Sequence, residues 1–331
     1  VKSSKFKIQD DIATALSNFP TLNRIFIGYS GGIDSHVLLA ACAKLTEFKL
    51  KIIAVYIHHG LQQEADDWAI HCQKTAKLLN VSFLVVRVNA HANQGESPEE
   101  AARNARYSEF KNLIGENDVL LIAQHREDQL ETVLLQIFRG SGLRGLAGMP
   151  EKMPFGSGIL LRPLLNISKE MINAYALENE LVWIEDPSNQ STIYDRNFLR
   201  QEIIPQLKQR WQSLDKTVAR TATHCAEAEM LISKCTQAKF ETVFDPDDAT
   251  LNIPPFRNYS NVEQRLILRH WFEHLNLKMP SQDFVQRILN EVVLARPDRH
   301  PVLHKKGITI CRIGRKLICK NRPSNSQSAV F

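Results

Sequence analysis

Residues 24–35, RIFIGYSGGIDS, set an apolar, β-prone run directly ahead of two glycines and the start of a helix. The run shows no polar alternation, so it reads as a strand buried on both faces. From Asp34 to Leu45 (DSHVLLAACAKL) the chain reads as a helix. A strand that ends in paired glycines and opens a helix is suited to an anion. Gly31 and Gly32 let the backbone approach a phosphate, and the helix N-terminus offers unpaired N–H groups and partial positive charge. Ser30 and Ser35 add hydroxyl donors, and Asp34 can hold Mg²⁺ against the phosphates. The loop lacks the lysine of a Walker A motif, so γ-phosphoryl transfer is not its natural chemistry. The plain alternative is a glycine turn with Asp34 as a helix cap.

Outward from this stretch the pattern repeats. Strand-like runs at 50–57, 81–88 and 118–124 alternate with helical stretches at 64–79, 98–114 and 127–138. This predicts an α/β fold with a doubly wound, mostly parallel, Rossmann-like sheet, whose ligands bind beyond the carboxyl ends of the strands. Residues 139–148 (RGSGLRGLAG) carry four glycines and break the pattern as a mobile loop would. Further short strands are expected at 159–165 and 181–184, with a helix at 168–179. The tail changes character, with helices at 214–240, 261–275 and 283–294 and a hairpin over 308–319 turning at Gly314-Arg315. The organisation expected is a parallel α/β domain over 1–205 and a mainly α-helical domain over 206–331.

At 331 residues, with 44% hydrophobic and 23% charged, the chain has the makeup of two soluble domains. No apolar run approaches the roughly 18 residues of a membrane span, and no secretory apolar segment opens the chain. Six scattered cysteines without a CxxC argue for a reducing, cytoplasmic setting and against a disulfide framework or a zinc ribbon. Charge is uneven: from Gln206 onward there are 20 basic and 12 acidic residues, a net of +8, against −3 for residues 1–205. Lys305, Lys306, Arg312 and Arg315 belong to a final stretch in which no acid follows Asp298. A basic half joined to a slightly acidic one suits a polyanionic partner; a merely solvated basic surface is the plain alternative.

Several motifs follow the glycine loop in order. They are His58-His59-Gly60-Leu61, Ala102-Arg103-Asn104-Ala105-Arg106-Tyr107, and Ala123-Gln124-His125-Arg126-Glu127-Asp128-Gln129-Leu130-Glu131-Thr132. Then come Arg139-Gly140-Ser141-Gly142, Arg162-Pro163-Leu164, Trp183-Ile184-Glu185-Asp186-Pro187-Ser188-Asn189 and Tyr194-Asp195-Arg196-Asn197-Phe198-Leu199-Arg200. SGGIDS resembles the PP-loop of the N-type ATP pyrophosphatases. The whole set over residues 24–205 is similar to the tRNA(Ile)-lysidine synthetase family within them.

The resemblance implies a two-step reaction. ATP adenylates the C2 carbonyl oxygen of the wobble cytidine in the CAU anticodon of tRNA(Ile). The ε-amine of free L-lysine then attacks C2 and expels AMP, leaving lysidine, so that the anticodon reads AUA in place of AUG. The ATP side takes Ser30, Gly31, Gly32, Asp34, Ser35 and His59, with Mg²⁺ on Asp34. Arg106 and Arg196 are candidates to neutralise charge at the α-phosphate. Asp128 and Glu131 are candidate ligands for lysine or for a metal, the plain alternative being first-turn acids that offset a helix dipole. His125 beside them would orient a phosphate or accept a proton. Arg139, Arg200, Lys305, Lys306, Arg312 and Arg315 are the expected tRNA contacts. A homodimer stays open, and the chain is read as stopping before a further C-terminal domain that some members carry. Two departures bear on the site: the family commonly has two histidines where this chain has Gln124-His125, and Asp-Asp where it has Glu127-Asp128. A tRNA thiolase would need a CxxC or a placed catalytic cysteine, and a non-catalytic module would have no need of Asp34, Asp128, Glu131 and Arg196 together.

Overall fold

The structure is a computed structural model that describes residues 4–60, 65–88, 98–187, 191–296, 298–305 and 307–321. It divides into two compact units, Val1–Ala226 and Glu227–Phe331.

The first unit begins with α1 (Ser4–Ser17), β1 (Ile25–Gly28), α2 (Ile33–Ala43), β2 (Ile52–His58) and α3 (Ala65–Leu78). It continues with β3 (Ser82–Arg87), α4 (Pro98–Leu113), β4 (Val119–Leu121), α5 (Arg126–Phe138) and the single turn α6 (Leu143–Leu146). A hairpin of β5 (Lys152–Phe155) and β6 (Gly158–Leu161) precedes α7 (Lys169–Glu178), α8 (Asp195–Phe198) and α9 (Ile204–Arg210). A π-helical turn, Leu199–Ile203, joins the last two. The unit ends inside the long helix α10 (Leu214–Glu241).

Six strands form one sheet in the order β3-β2-β1-β4-β6-β5, parallel except for β5 against β6. Alternation along β1 explains why it must be central. Ile25 and Ile27 join the core that α1, α2, α3 and α7 close, while Phe26 packs with Phe110 of α4 and Phe155 of β5 on the other face. Helix α2 is buried at every residue from Ser35 to Ala43, as a helix apolar all round must be. The chain runs outward from β1 through β2 to β3, then returns to β4 on the other side. The switch point therefore lies between β1 and β4, where such sheets bind ligands.

The expected parallel α/β sheet and its helices are present. Residues 181–184 are not a strand: the Ile184 N–H is spent on the Gly31 carbonyl (3.0 Å), which docks this segment as a loop against the glycine turn. The short β5 contains Pro154 and lies at the sheet edge, where a missing N–H is tolerated.

The second unit holds the end of α10, the short strands β7 (Phe244–Asp245) and β8 (Thr250–Asn252), α11 (Ile253–Phe256), α12 (Asn261–His274) and α13 (Gln282–Arg287). A π-helical turn (Ile288–Val293) leads to β9 (Val302–Lys305), β10 (Ile308–Ile313) and β11 (Lys316–Asn321). The expected hairpin is β10–β11, turning at Gly314 with φ +59. It lies within a five-stranded antiparallel sheet, β7-β8-β11-β10-β9, so the tail helices share their unit with a sheet. Trp271, Phe272, Phe256, Phe284, Ile310 and Leu317 form the core between them. Residues 206–226 fall in the first compact unit, some twenty residues past the boundary read from composition. Arg126 of α5 pairs with the buried Asp215 at the start of α10 (2.9 Å), which ties that segment to the sheet domain.

Candidate active site

The loop from Tyr29 to Gly32 leaves the carboxyl end of β1 and is held from within. The Ser35 hydroxyl donates to the Gly32 carbonyl (2.9 Å) and accepts the Ser30 N–H (3.2 Å), and the two hydroxyls lie 3.2 Å apart. Gly31 has φ +84, a conformation that favours glycine. Gly32, not Asp34, is the N-cap of α2, and it lends no side-chain bond, so the first N–H groups of that helix carry no side-chain cap. His59 follows β2 and is kept neutral, its pKa lowered to about 4 by burial and then by the nearby Arg106 cation.

At the carboxyl end of β4, the buried His125 is the N-cap of α5. Its backbone N–H donates to Asp128 Oδ2 (2.9 Å), so Asp128 does cap the helix as a first-turn acid would. The His125 ring extends further. Nδ1 lies 3.2 Å from Glu127 Oε2, and Nε2 lies 3.5 Å from Asp128 Oδ2 and 3.7 Å from Asp34 Oδ1. Burial works against the imidazolium, but the Glu127 hydrogen bond and the Asp128 and Asp34 charges prevail and raise the His125 pKa. Burial also opposes the Glu127 carboxylate, yet His125, the Lys169 N–H and Lys208 bring it down to about 2.

One helical turn later, Glu131 is almost fully buried and receives the Arg200 guanidinium at 2.6 and 2.9 Å. Arg200 also donates to Asp128 Oδ1 (3.1 Å). Arg196 Nε lies 3.5 Å from Glu131, and its other end donates to Thr132 Oγ1 (3.1 Å). Burial raises the Glu131 pKa, against the pull of Arg200. Arg200 sits in the π-helical turn, a distortion that recurs at functional sites.

Asp34, His125, Asp128, Glu131, Arg196 and Arg200 therefore form one continuous network at the switch point. Arg200, expected on the RNA, is here the counter-ion of the acid pair. Arg106 stands apart beside His59. Arg139 is exposed at the C-terminus of α5, where Gly140 and Gly148 adopt positive φ around α6. In the second unit Lys305 donates to Ser281 (2.8 Å) and Arg312 to the Ala295 carbonyl (2.7 Å), while Arg315 is exposed at the hairpin turn. Lys306 lies outside the described residues, as do Leu61, Ser188 and Asn189 of the motifs.

Three contributors were not singled out as site residues from the sequence. Lys169, the first residue of α7, places Nζ 2.5 Å from Asp34 Oδ1. Glu127 holds both His125 and the Lys169 N–H (3.0 Å). Gln124 accepts from the buried Arg162, whose guanidinium also donates to the Pro150 carbonyl (2.7 Å). The departures at 124 and 127 thus carry structural bonds of their own.

Asp34 is one-third exposed at the loop, and no group of three or more His, Cys, Asp or Glu side chains among the described residues is arranged to hold a metal. One carboxylate beside a phosphate cradle fits Mg²⁺ that arrives with a triphosphate and keeps several waters. No described helix is long and apolar enough to cross a membrane.

Comparison with known proteins agrees with this geometry. Residues 4–207 match the PP-loop domain family, and residues 251–317 match the TilS substrate binding domain. The tRNA(Ile)-lysidine synthase of Histophilus somni (strain 2336) is 41% identical over 92% of this chain and 69% of its own length. That of Vibrio parahaemolyticus is 43% identical over 89% of this chain and 67% of its own. Among solved structures, the U34-tRNA thiolase from Methanococcus maripaludis shares the fold, with a TM-score of 0.56 and 16% identity over 68% of this chain and 78% of that one. With the family pattern covering more than half of the chain and such relatives matched over two-thirds of their length, the chain belongs to the tRNA(Ile)-lysidine synthase family of PP-loop ligases.

Proposed function

We propose that the chain joins L-lysine to C2 of the wobble cytidine in the CAU anticodon of tRNA(Ile), at the expense of ATP. In the first step the cytidine O2 attacks the α-phosphorus and pyrophosphate leaves. In the second the neutral ε-amine of lysine attacks C2, the C–O bond breaks, AMP departs with the oxygen, and the nitrogen loses a proton to solvent or a nearby base. The anticodon then reads AUA instead of AUG. The observation that carries this reading is the juxtaposition of a phosphate loop with the half-buried Asp128 and the buried Glu131, bridged by His125 between Asp34 and Asp128.

In this reading the α2 N-terminus and the Ser30 and Ser35 hydroxyls receive the phosphates, with His59 and Arg106 on the nucleotide side. Mg²⁺ held by Asp34 supplies positive charge to the phosphates. Asp128 and Glu131 receive the lysine ammonium, and Arg196 and Arg200 set the charge of that acid pair. His125, buried and bonded to Glu127, keeps its Nε2 directed at the junction of the two subsites. Residues 1–205 would carry the chemistry and residues 206–331, with their basic excess, the tRNA contacts. The setting would be the cytoplasm, where tRNA and free lysine meet.

The test combines the protein, Mg-ATP, radiolabelled lysine and a tRNA(Ile) transcript with a CAU anticodon, scored by label retained on RNA. Elongator tRNA(Met), with the same anticodon, is the control. Label on the isoleucine tRNA alone is expected. AMP release without label would refute lysine as the nucleophile, and no AMP with either RNA would refute the adenylation step.

A further inference from the structure

We propose that Arg103, laid against Tyr107 and backed by the buried Arg162, binds a phosphodiester of the RNA backbone beside the wobble cytidine. The proposal rests on the reading that this RNA is the substrate and that ATP occupies the Ser30–Ser35 loop.

Arg162, directly after β6, is a buried cation (5% exposed) whose acceptors are all neutral. It donates to the Gln124 side chain, to the Pro150 carbonyl (2.7 Å) and toward the Met153 sulfur (3.9 Å). Neutral donors would satisfy the same acceptors without the cost of burying a charge. A second guanidinium stands next to it. Arg103 Nη2 lies 3.5 Å from the Tyr107 hydroxyl, which supports the Arg162 charge as well. The Arg103 guanidinium lies over the Tyr107 ring (4.9 Å), and that ring packs edge-on against Phe155 of β5 (5.8 Å). An aromatic platform thus aims Arg103. Neither guanidinium has a carboxylate partner among the described residues, so the pair carries positive charge that an anion can take up.

Alternation past β4 separates this pair from the ATP loop. Ala123 packs in the core with α2, whereas Ile122 packs with α4. His125 accordingly faces Asp34, and Gln124 faces Arg162. The arginines therefore stand on the α4 side of the strand ends, away from the α2 N-terminus that receives the phosphates. Displacement at the α-phosphorus is in line, so the cytidine O2 attacks from the side opposite the departing pyrophosphate. A base brought in from the α4 side carries its flanking phosphates with it, and these meet Arg103. Arg162 is too deeply buried to touch the RNA and acts as a fixed charge behind the contact.

The experiment titrates a tRNA(Ile) transcript with a CAU anticodon against the wild-type chain, Arg103→Gln and Arg103→Lys over a range of salt concentrations. ATP is titrated in parallel, and thermal melts check folding. At low salt Arg103→Gln is expected to bind the tRNA about tenfold more weakly, the loss of one charge-assisted contact. The slope of log Kd against log salt should become shallower by about 0.7, one phosphate of a single-stranded loop. ATP affinity should be unchanged, and Arg103→Lys should keep the salt slope because it keeps the charge. A second RNA carries neutral methylphosphonates on either side of the wobble cytidine, and wild type and Arg103→Gln should bind it alike. An unchanged salt slope in a well-folded Arg103→Gln would overturn the proposal. So would a loss that persists on the methylphosphonate RNA, which puts the contact elsewhere on the tRNA, or weaker binding of ATP in place of tRNA, which puts Arg103 on the nucleotide. A wild-type chain that releases no AMP with Mg-ATP and this tRNA would instead overturn the underlying reading, and the proposal with it.

Discussion

Gly31 and Gly32 are adjacent in the phosphate loop, yet alanine should do opposite things at the two positions. Gly31 has φ +84, and a β-carbon there would lie 2.6 Å from Ile184 Cδ1 and 3.0 Å from the sulfur of the buried Cys72. The left-handed backbone costs an L-residue about 1–2 kcal/mol. Forcing a methyl into packed neighbours adds about 1–3 kcal/mol. Gly31→Ala should therefore destabilise the first unit by about 2–5 kcal/mol, a large share of a domain's total of about 5–15 kcal/mol. Gly32 has φ −71, and its β-carbon would meet nothing closer than Ser30 Oγ at 3.6 Å. Gly32→Ala should leave stability within about 0.5 kcal/mol. Its methyl stands where the backbone would approach a phosphate, so ATP affinity should fall about tenfold or more.

Urea unfolding and titration calorimetry on both variants read the two effects separately. A third variant tests the cause. Ile184→Val removes the Cδ1 atom that the Gly31 methyl would strike, so Gly31→Ala should cost about 1–2 kcal/mol less in that background. The φ strain should persist. Equal stability of the two alanine variants would refute the packing argument, and wild-type ATP affinity in Gly32→Ala would refute the loop as the phosphate cradle.

Three further outcomes follow from the network. Glu131→Gln keeps the shape of a buried side chain but removes the charge that faces Arg200; the lysine KM should rise about tenfold or more while the ATP KM stays within about twofold, and initial rates at varied lysine check it. Glu127, pulled from 4.5 to about 2, contributes stability that is present above pH 4.5 and is lost as the pH falls toward 2. Glu127→Gln should thus be less stable than wild type by up to about 3 kcal/mol at neutral pH, with the gap closing in acid, as denaturant melts across that range would show. Arg315→Ala should weaken tRNA binding and flatten its salt dependence by about one phosphate contact, with unfolding unaltered, whereas Arg312→Ala gives up a bond to the Ala295 carbonyl and should lower the melting temperature.

The fold was legible wherever hydrophobic period and turn chemistry agree. Ile25-Phe26-Ile27 could only be a strand covered on both sides, and Gly31-Gly32 could only break it, which together locate the switch point. The short strands β7 and β8 carry no such message, because runs of two and three residues cannot display alternation. The site was legible in part for a related reason. Asp34 and Asp128 stand in first helical turns that the pattern locates, and Glu131 lies one turn on from Asp128. Their partners come from afar, Lys169 across 135 residues and Arg200 across 69, on elements whose orientation no local period encodes. Lys169 looks like any first-turn residue, and Arg200 reaches Glu131 from a π-helical turn that no local pattern announces. Pairing also changes what the acids mean. Read singly, Asp128 and Glu131 are two negative charges ready for an ammonium; read in the network, they already hold the Arg200 guanidinium, with Arg196 beside Glu131. If these acids receive lysine as proposed, its ammonium has to share them with Arg200 or displace it, and selectivity there becomes a competition between cations instead of the filling of an empty pocket.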